Sequence, residues 1–123
     1  MILTDGDITD KKETISAIVK ASSLPLSIVI VGVGNSSFKA MDMLDADDIP
    51  LFDELTNTSC VRDIVQFVPF NQFSSNPARL AEETLAEIPR QVTEFMSSRQ
   101  LRPNAKIVMN DNFAYGESVY YEQ

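Results

Sequence analysis

The sequence contains no histidine, only one cysteine, and fewer basic than acidic residues. Without histidine, the 123 residues cannot form a serine or cysteine triad that uses histidine as its base, nor a histidine-ligated zinc site. The 10 basic and 18 acidic residues give a net charge of −8. This charge disfavours nucleic acid and anionic membranes as direct partners, because both are bound chiefly through Lys and Arg. Basic protein surfaces and cations remain compatible with it.

The single cysteine, Cys60, cannot form an internal disulfide. It has no neighbouring base in the sequence, so we interpret it as a structural thiol. No secretory signal opens the chain. We therefore expect a reducing, intracellular setting.

The most informative stretch is the apolar run from Leu26 to Gly34. Its β-branched residues favour a strand, and the run is apolar on both faces, as in a parallel strand covered by helices on both sides. It is far shorter than the roughly 20 residues needed to cross a bilayer. A chain of this length, with 44% hydrophobic residues, predicts one globular α/β domain with this run as its central strand.

The residues before this run predict a βαβ unit. Residues 1–3 are the end of a short strand, and a polar loop follows it. Asp10 is the predicted N-cap of a helix, with Glu13 completing a capping box, and Pro25 follows the end of that helix. Because three residues make a poor strand, we expect that sequence belonging before Met1 is missing.

The residues after the run predict a second helix, a loop and a third strand. Asn35 or Ser36 is the candidate cap of the helix, and its apolar stripe consists of Phe38, Met41 and Leu44. Four aspartates crowd the end of that helix, which predicts a solvated loop over Asp45–Thr58. The third strand is predicted over Val61–Phe67.

A last helix is predicted from Asn76 as N-cap, with Pro77 at its first position and a kink at Pro89. Its apolar stripe comprises Leu80, Thr84, Leu85, Ile88, Val92, Phe95 and Met96. Helical periodicity fails after this, so the predicted domain covers residues 1–99 and a flexible tail covers residues 100–123.

Two segments could bind a ligand. The acidic loop Asp5, Asp7 and Asp10 offers oxygen ligands for a hard cation, although Asp10 could simply cap the helix while Asp7 faces water. Residues 32–37 follow a strand and open a helix, as in a dinucleotide fingerprint, but Ser37 replaces the third glycine. A tight turn therefore explains residues 32–37 better than a free-standing nucleotide-binding module does.

Three segments together resemble the copine family. They are residues 3–10 (Leu-Thr-Asp-Gly-Asp-Ile-Thr-Asp), residues 17–34 and residues 62–70 (Arg-Asp-Ile-Val-Gln-Phe-Val-Pro-Phe). The Glu87-Ile88-Pro89 kink also resembles the final helix of that family. The resemblance implies the second half of a von Willebrand factor A-like domain, which is a partial doubly wound parallel sheet with flanking helices. The amino-terminal half of such a domain would be missing.

The resemblance also implies a site. A-type domains of this kind hold Mg²⁺ or Mn²⁺ with three loops, and Asp5 corresponds to the aspartate of the third loop, with Thr4 and Gly6 shaping that loop. The Asp-x-Ser-x-Ser loop and the Thr loop do not occur in these 123 residues. Asp5 is thus expected to be the remnant of an incomplete metal site that serves binding and not catalysis.

The function implied by the resemblance is that of an intracellular adaptor that binds proteins. The full-length parent would bind phospholipid through calcium-dependent modules absent from this chain, and would move from the cytoplasm to the plasma membrane when Ca²⁺ rises. An enzymatic alternative is a copine-domain ubiquitin ligase with a zinc-binding RING module. Residues 100–123 contain none of the Cys and His pairs that such a module needs.

Overall fold

The computed structural model describes residues 1–45 and 49–104. The chain forms five strands and five helices within these ranges. In chain order they are β1 (Ile2–Thr4), α1 (Lys11–Ala21), β2 (Ile28–Gly32), α2 (Lys39–Leu44), β3 (Phe52–Asp53), β4 (Thr58–Ser59), β5 (Val65–Pro69), α3 (Phe70–Phe73), α4 (Pro77–Leu85) and α5 (Ile88–Ser98).

The main sheet is parallel and has the strand order β1-β2-β5. Ile30 of β2 lies opposite Ile2 on one side and opposite Phe67 on the other. The predicted central strand is therefore confirmed, and so is the α/β class, a small parallel sheet with flanking helices. Buried side chains of β2 and β5 form most of the sheet's contribution to the core, which comprises Ile18, Val19, Ile30, Met41, Leu44, Leu51, Ile64, Val65 and Phe67.

The third strand begins four residues later than predicted, at Val65 instead of Val61. Two side chains before it explain the shift. Asp63 accepts a hydrogen bond from the Val65 amide at 3.1 Å, which forms a turn that starts the strand. The guanidinium of Arg62 donates to the backbone carbonyls of Leu24 and Leu26, which ties this segment to the residues that precede β2.

Helix α1 begins at Lys11, directly after Asp10, as the sequence predicts, but its first turn is not capped in the predicted way. The Asp10 side chain makes no capping hydrogen bond to the first turn; its carboxylate instead accepts from the Thr14 hydroxyl at 3.2 Å. The predicted capping box with Glu13 is therefore wrong. At the other end, the buried Ser22 hydroxyl donates to the Val19 carbonyl at 2.7 Å and accepts from the Val61 amide at 3.0 Å.

Helix α2 starts at Lys39, after Phe38, so the predicted cap at Asn35 or Ser36 is wrong. Phe38 instead packs on Phe67 of β5, with ring centroids 5.5 Å apart. The packing of this ring on β5 takes the place of a helical turn over residues 35–38. Met41 and Leu44 are buried, as the predicted stripe requires.

The predicted solvated loop over Asp45–Thr58 contains a two-stranded antiparallel hairpin, β3–β4, although residues 46–48 lie outside the described ranges. Asp53 is only 1% exposed and accepts from the Thr56 hydroxyl at 2.6 Å and the Leu55 amide at 2.9 Å. Hydrogen bonding from Thr56, opposed by burial, holds the pKa of Asp53 below its usual 3.8. The hairpin thus turns around a buried carboxylate that the composition of the segment conceals.

The last predicted helix is two helices. The Asn76 side chain accepts from the Arg79 amide at 3.1 Å, which confirms the predicted cap of α4. Pro89 lies in the first turn of α5 and accompanies a break after Leu85 instead of a kink. The predicted boundary at residue 99 remains a prediction, and residues 105–123 of the predicted tail lie outside the described part of the chain.

The buried face of α5 also differs from the prediction. Gln91 is 1% exposed, whereas Val92 and Met96, both in the predicted apolar stripe, are 46% and 43% exposed. Ile88 and Phe95 of the stripe are partly buried. In the described ranges, no helix combines the length and the apolar character that a membrane span requires.

Candidate functional site at the carboxyl end of the sheet

The Thr4–Gly6 loop leaves the carboxyl end of β1. The Thr4 carbonyl accepts from the Val33 amide at 2.8 Å, so the loop is tied to the residue that follows β2. The Thr4 hydroxyl donates to the Gly6 carbonyl at 3.0 Å and accepts from the Gly6 amide at 3.4 Å. These bonds close the loop around Asp5, whose side chain is left exposed.

The three aspartates of the acidic loop do not converge. Asp5 has no hydrogen-bond or ion-pair partner among residues 1–45 and 49–104. Asp7 accepts from the neighbouring Ile8 amide at 3.1 Å, and Asp10 accepts from Thr14. Both Asp7 and Asp10 are exposed. Two of the three carboxylates thus serve the local backbone and the start of α1, and Asp5 alone is free for a ligand.

The carboxyl ends of β2 and β5 contribute amides and not carboxylates. Gly34, with a φ of +92°, turns the chain after β2. The Asn71 amide of α3 donates to the Gly34 carbonyl and to Asn35 Oδ1, the latter at 2.8 Å. These contacts hold the two strand ends together next to the Thr4–Gly6 loop.

A divalent metal does not fit the described residues as a site. Mg²⁺ requires near-octahedral oxygen coordination, with one or two carboxylates and further ligands. In the described part of the chain, no three Asp, Glu, Cys or His side chains gather in a metal-binding group. Asp5 could supply one ligand, and the remainder would have to come from outside residues 1–45 and 49–104.

The turn after β2 does not match a dinucleotide site. A Cβ at Gly32 would lie 3.0 Å from ring atoms of both Phe38 and Phe67, so the close approach of these two aromatic rings accounts for the glycine at this position. The following helix starts seven residues after Gly32 and is only six residues long. The glycines therefore serve the packing and the turn.

An apolar groove of about 530 Å³ lies beside the edge strand β1, and sequence reasoning missed it. Its lining includes Ile2, Ile28 and Ile30 of the two strands, together with Asp10 and Glu13. Ile2 is 51% exposed. Alternate residues of two neighbouring parallel strands face the same side, which is the sequence signal that could have revealed the groove.

A second charged cluster lies away from this loop, between α5 and the segment before β5. Arg90 pairs with Glu87 at 3.1 Å and with Asp63 and Glu94 at 3.4 Å each. Burial, together with the nearby Asp63 carboxylate, raises the pKa of Glu87 to about 7. The spacing of Glu87, Arg90 and Glu94 is visible in the sequence, but the contribution of Asp63 is not, because it depends on the tertiary fold.

Cys60 is half-buried. Its burial raises the pKa of the thiol, with the Asp63 charge acting in the same direction. A raised pKa keeps the sulfur protonated and therefore a poor nucleophile near neutral pH. This environment agrees with the structural role predicted for it.

Comparison with known proteins identifies the family of this chain. The sequence profile of the copine family matches residues 1–104. Three Dictyostelium discoideum proteins are similar to the chain over about 85% of its length. Copine-E is 55% identical over 107 residues (86% of this chain and 18% of Copine-E), Copine-D is 53% identical over 104 residues (85% and 19%), and Copine-B is 52% identical over 104 residues (84% and 20%).

The chain thus spans about a fifth of the length of the curated relatives it matches. The names of these three relatives denote no enzymatic activity. The family profile covers every element of the described fold, from β1 to α5. On this similarity, the chain belongs to the copine family.

Proposed function

We propose that this chain is the carboxyl-terminal part of a von Willebrand factor A-like domain in a copine-type intracellular adaptor, and that it binds protein partners and catalyses no reaction. The observation that carries the proposal is the exposed Asp5 on the Thr4–Gly6 loop, at the carboxyl end of a parallel sheet, within a segment that matches the copine family. In open α/β sheets, ligands bind at that end of the strands.

In this proposal Asp5 is a ligand and not a general base. An exposed carboxylate that has no ion-pair partner in the described part of the chain is suited to contacting a cation directly or through water. The other ligands of a bound Mg²⁺ or Mn²⁺ would come from residues outside the described ranges. A carboxylate from a protein partner would then occupy a remaining coordination position. Thr4 and Gly6 would hold the loop in position through the two hydrogen bonds between them.

Phospholipid binding and Ca²⁺ dependence are assigned to parts of the parent protein outside this chain. The net charge of −8 supports this division, because anionic lipid headgroups repel an acidic surface. We accordingly propose a cytoplasmic location, with recruitment to the plasma membrane driven by those other modules.

The metal-ligand role is tested in a chimaera of Copine-E whose matched segment is replaced by residues 1–104 of this chain. Mn²⁺ binding is followed by electron paramagnetic resonance. We expect Asp5→Asn to weaken Mn²⁺ binding by about tenfold or more, because it removes a charged ligand while keeping the shape of the side chain. Asp7→Asn is the matched control in the same loop and should leave binding unchanged. Equal Mn²⁺ affinity in the parent chimaera and the Asp5→Asn variant would refute the role of Asp5.

The proposed division of labour is tested separately with the 123-residue chain. Vesicles of phosphatidylserine and phosphatidylcholine are sedimented with the chain, with and without Ca²⁺. We expect no Ca²⁺-dependent co-sedimentation of the chain, while intact Copine-E serves as the comparison. Sedimentation of the chain with vesicles only when Ca²⁺ is present would contradict the assignment of lipid binding to other modules.

A further inference from the structure

The contact between α5 and the segment before β5 contains three carboxylates and one guanidinium. The Glu87 and Asp63 side chains are only 17% and 14% exposed, whereas Arg90 is 48% exposed. Glu94 lies on the outer side of the same arginine. If all three carboxyl groups were ionised, the cluster would carry two uncompensated negative charges in a partly buried place, which is unfavourable.

Two of these carboxyl groups come from different elements and meet at the same nitrogen of Arg90: Nη2 lies 3.1 Å from Glu87 Oε2 and 3.4 Å from Asp63 Oδ2. Glu87 precedes the first turn of α5, and Asp63 precedes β5. Two carboxyl groups in contact repel when both are ionised and form a hydrogen bond when one carries a proton. A proton on Glu87 therefore converts a repulsive contact between the two elements into an attractive one.

Glu87, which carries this proton, also contacts a buried side chain of α5. The buried Gln91 side chain donates from Nε2 to Glu87 Oε2 at 3.1 Å, and Gln91 Oε1 is a buried acceptor with no donor in the described part of the chain. Glu87 is thus the polar partner of a buried side chain of α5. A displacement of Glu87 would leave both polar ends of Gln91 unpaired, which carries a further cost.

The remainder of α5 is held by different contacts. The Arg99 guanidinium donates to the Ser23 carbonyl at 3.0 Å, and Arg62 lies 5.4 Å from the centroid of the Phe95 ring. The helical chain is already interrupted before Glu87, between α4 and α5. An opening at the start of α5 can therefore occur at this interruption while the other end of the helix stays in contact.

We propose that Glu87 and Asp63 form a proton-dependent clasp that fastens the first turn of α5 to the segment before β5. The charged groups that face Glu87 are Asp63 from that segment and Arg90 from α5; Glu94 pairs with Arg90, and Cys60 lies near Asp63. Arg90 and the start of the helix favour the ionised form of Glu87, while burial and Asp63 favour the protonated form. The effects of burial and Asp63 are the larger, so the protonated form of Glu87 is favoured.

The clasp acts in the neutral range. Burial, reinforced by Asp63, raises the pKa of Glu87 from 4.5 to about 7. A group whose pKa is higher in the folded form contributes its full stabilisation at pH values below its pKa in the unfolded form. This contribution is lost as the pH rises through 7. For one such group, the equilibrium constant for opening the first turn increases about tenfold from pH 6 to pH 8, which corresponds to about 1.4 kcal/mol.

The test uses the intact 123-residue chain. Carboxyl ¹³C NMR measures the titration midpoint of Glu87, which we expect near 7, and hydrogen exchange at pH 6 and pH 8, corrected for intrinsic rates, measures opening. We expect exchange to increase about tenfold at pH 8 in the first turn of α5 and to stay constant in its last turn. Glu87→Gln should remove this pH dependence, whereas Glu94→Gln, which affects a more exposed partner of Arg90, should retain it.

Asp63→Asn provides a second variant if Glu87→Gln does not fold. Removal of the negative neighbour should lower the Glu87 midpoint measured by NMR. A wild-type Glu87 midpoint below about 5.5 would overturn the proposal. Equal corrected exchange at pH 6 and pH 8, or an unchanged midpoint in Asp63→Asn, would do the same.

Discussion

Replacement of Gly32 by alanine should destabilise the fold, although the backbone at this position suits any residue. Gly32 is the last residue of β2, and its Cα faces the tilted pair Phe38 and Phe67. A Cβ at this position would lie 3.0 Å from Cε1 and Cζ of Phe38 and 3.0 Å from Cε2 of Phe67. Carbon atoms pack best at about 3.5–4.0 Å, so all three contacts would be too short by about 0.5 Å or more.

Two effects of opposite sign determine the size of the loss. Overpacking of a core typically costs about 1–3 kcal/mol. Alanine also restricts the unfolded chain, which stabilises the folded state by about 0.4–1 kcal/mol. Phe67 is buried in β5 and cannot move freely, while Phe38 is only partly buried. We expect the net result to be a loss of about 1–2 kcal/mol in the free energy of unfolding.

Urea unfolding followed by far-ultraviolet circular dichroism measures this loss. Gly6→Ala is the matched control, because a Cβ at Gly6 meets nothing within 4 Å. It should be neutral or stabilising by up to about 1 kcal/mol, so only Gly32→Ala should lower the stability. Phe38→Leu should reduce the cost of Gly32→Ala by at least about 0.5 kcal/mol in a double-mutant cycle. Wild-type stability in Gly32→Ala, or an undiminished cost when Phe38→Leu is also present, would refute the packing argument.

Two further substitutions address the parts of the fold that were hardest and easiest to predict. Asp53→Asn should lower stability at pH 7 by weakening the bond from Thr56, while Glu54→Gln, at an exposed neighbour, should have little effect. Since the pKa of Asp53 is lowered from 3.8, its contribution is fully present above 3.8 and is lost as the pH falls through the lowered value, so the stability difference between wild type and Asp53→Asn should shrink as the pH is lowered from 7 into the acid range; a constant difference would contradict this. Asn76→Ala should cost about 0.5–2 kcal/mol in chemical unfolding by removing the cap of α4, with Ser75→Ala as a neutral control, and equal midpoints for the two variants would exclude a capping role.

The sequence predicted those elements whose cause is local. The run that forms β2 is a strand because its β-branched residues are apolar on both faces, and α4 begins at Asn76 because an N-cap precedes a proline there. The position of Asp5 at the end of a strand follows from the same local pattern. Its role as a metal ligand rests on resemblance and remains a prediction.

The elements that the sequence concealed depend on tertiary contacts. Asp53 lies in a segment rich in aspartate and was expected to be solvated, yet the hydroxyl and amide donors of its own turn allow it to be buried. On α5, Gln91 takes an inward position that periodicity gives to apolar residues, because Glu87 supplies a polar partner. These partners are local in sequence, but the burial of Asp53 and Gln91 depends on which elements pack over them, and residue spacing does not give this.

The uneven burial of the sheet has a consequence for how the protein folds. Pairing β2 with β5 (Ile28 with Val65) joins residues 37 apart in sequence, and pairing β1 with β2 (Ile2 with Ile30) joins residues 28 apart. The entropic costs of closing these two loops differ by well under about 1 kcal/mol, so loop length does not decide which pair is the more persistent.

Burial decides it. Val65 and Val68 of β5 are essentially inaccessible to water, while Ile2 and Leu3 of β1 are more than half exposed. We therefore expect the β2–β5 pair to form first and β1 to join last and fray first. Asp5 follows the strand of lowest local stability. A ligand that engages the Thr4–Gly6 loop would gain affinity from anything that holds β1 in place, so binding at this loop and ordering of the first strand are energetically one event.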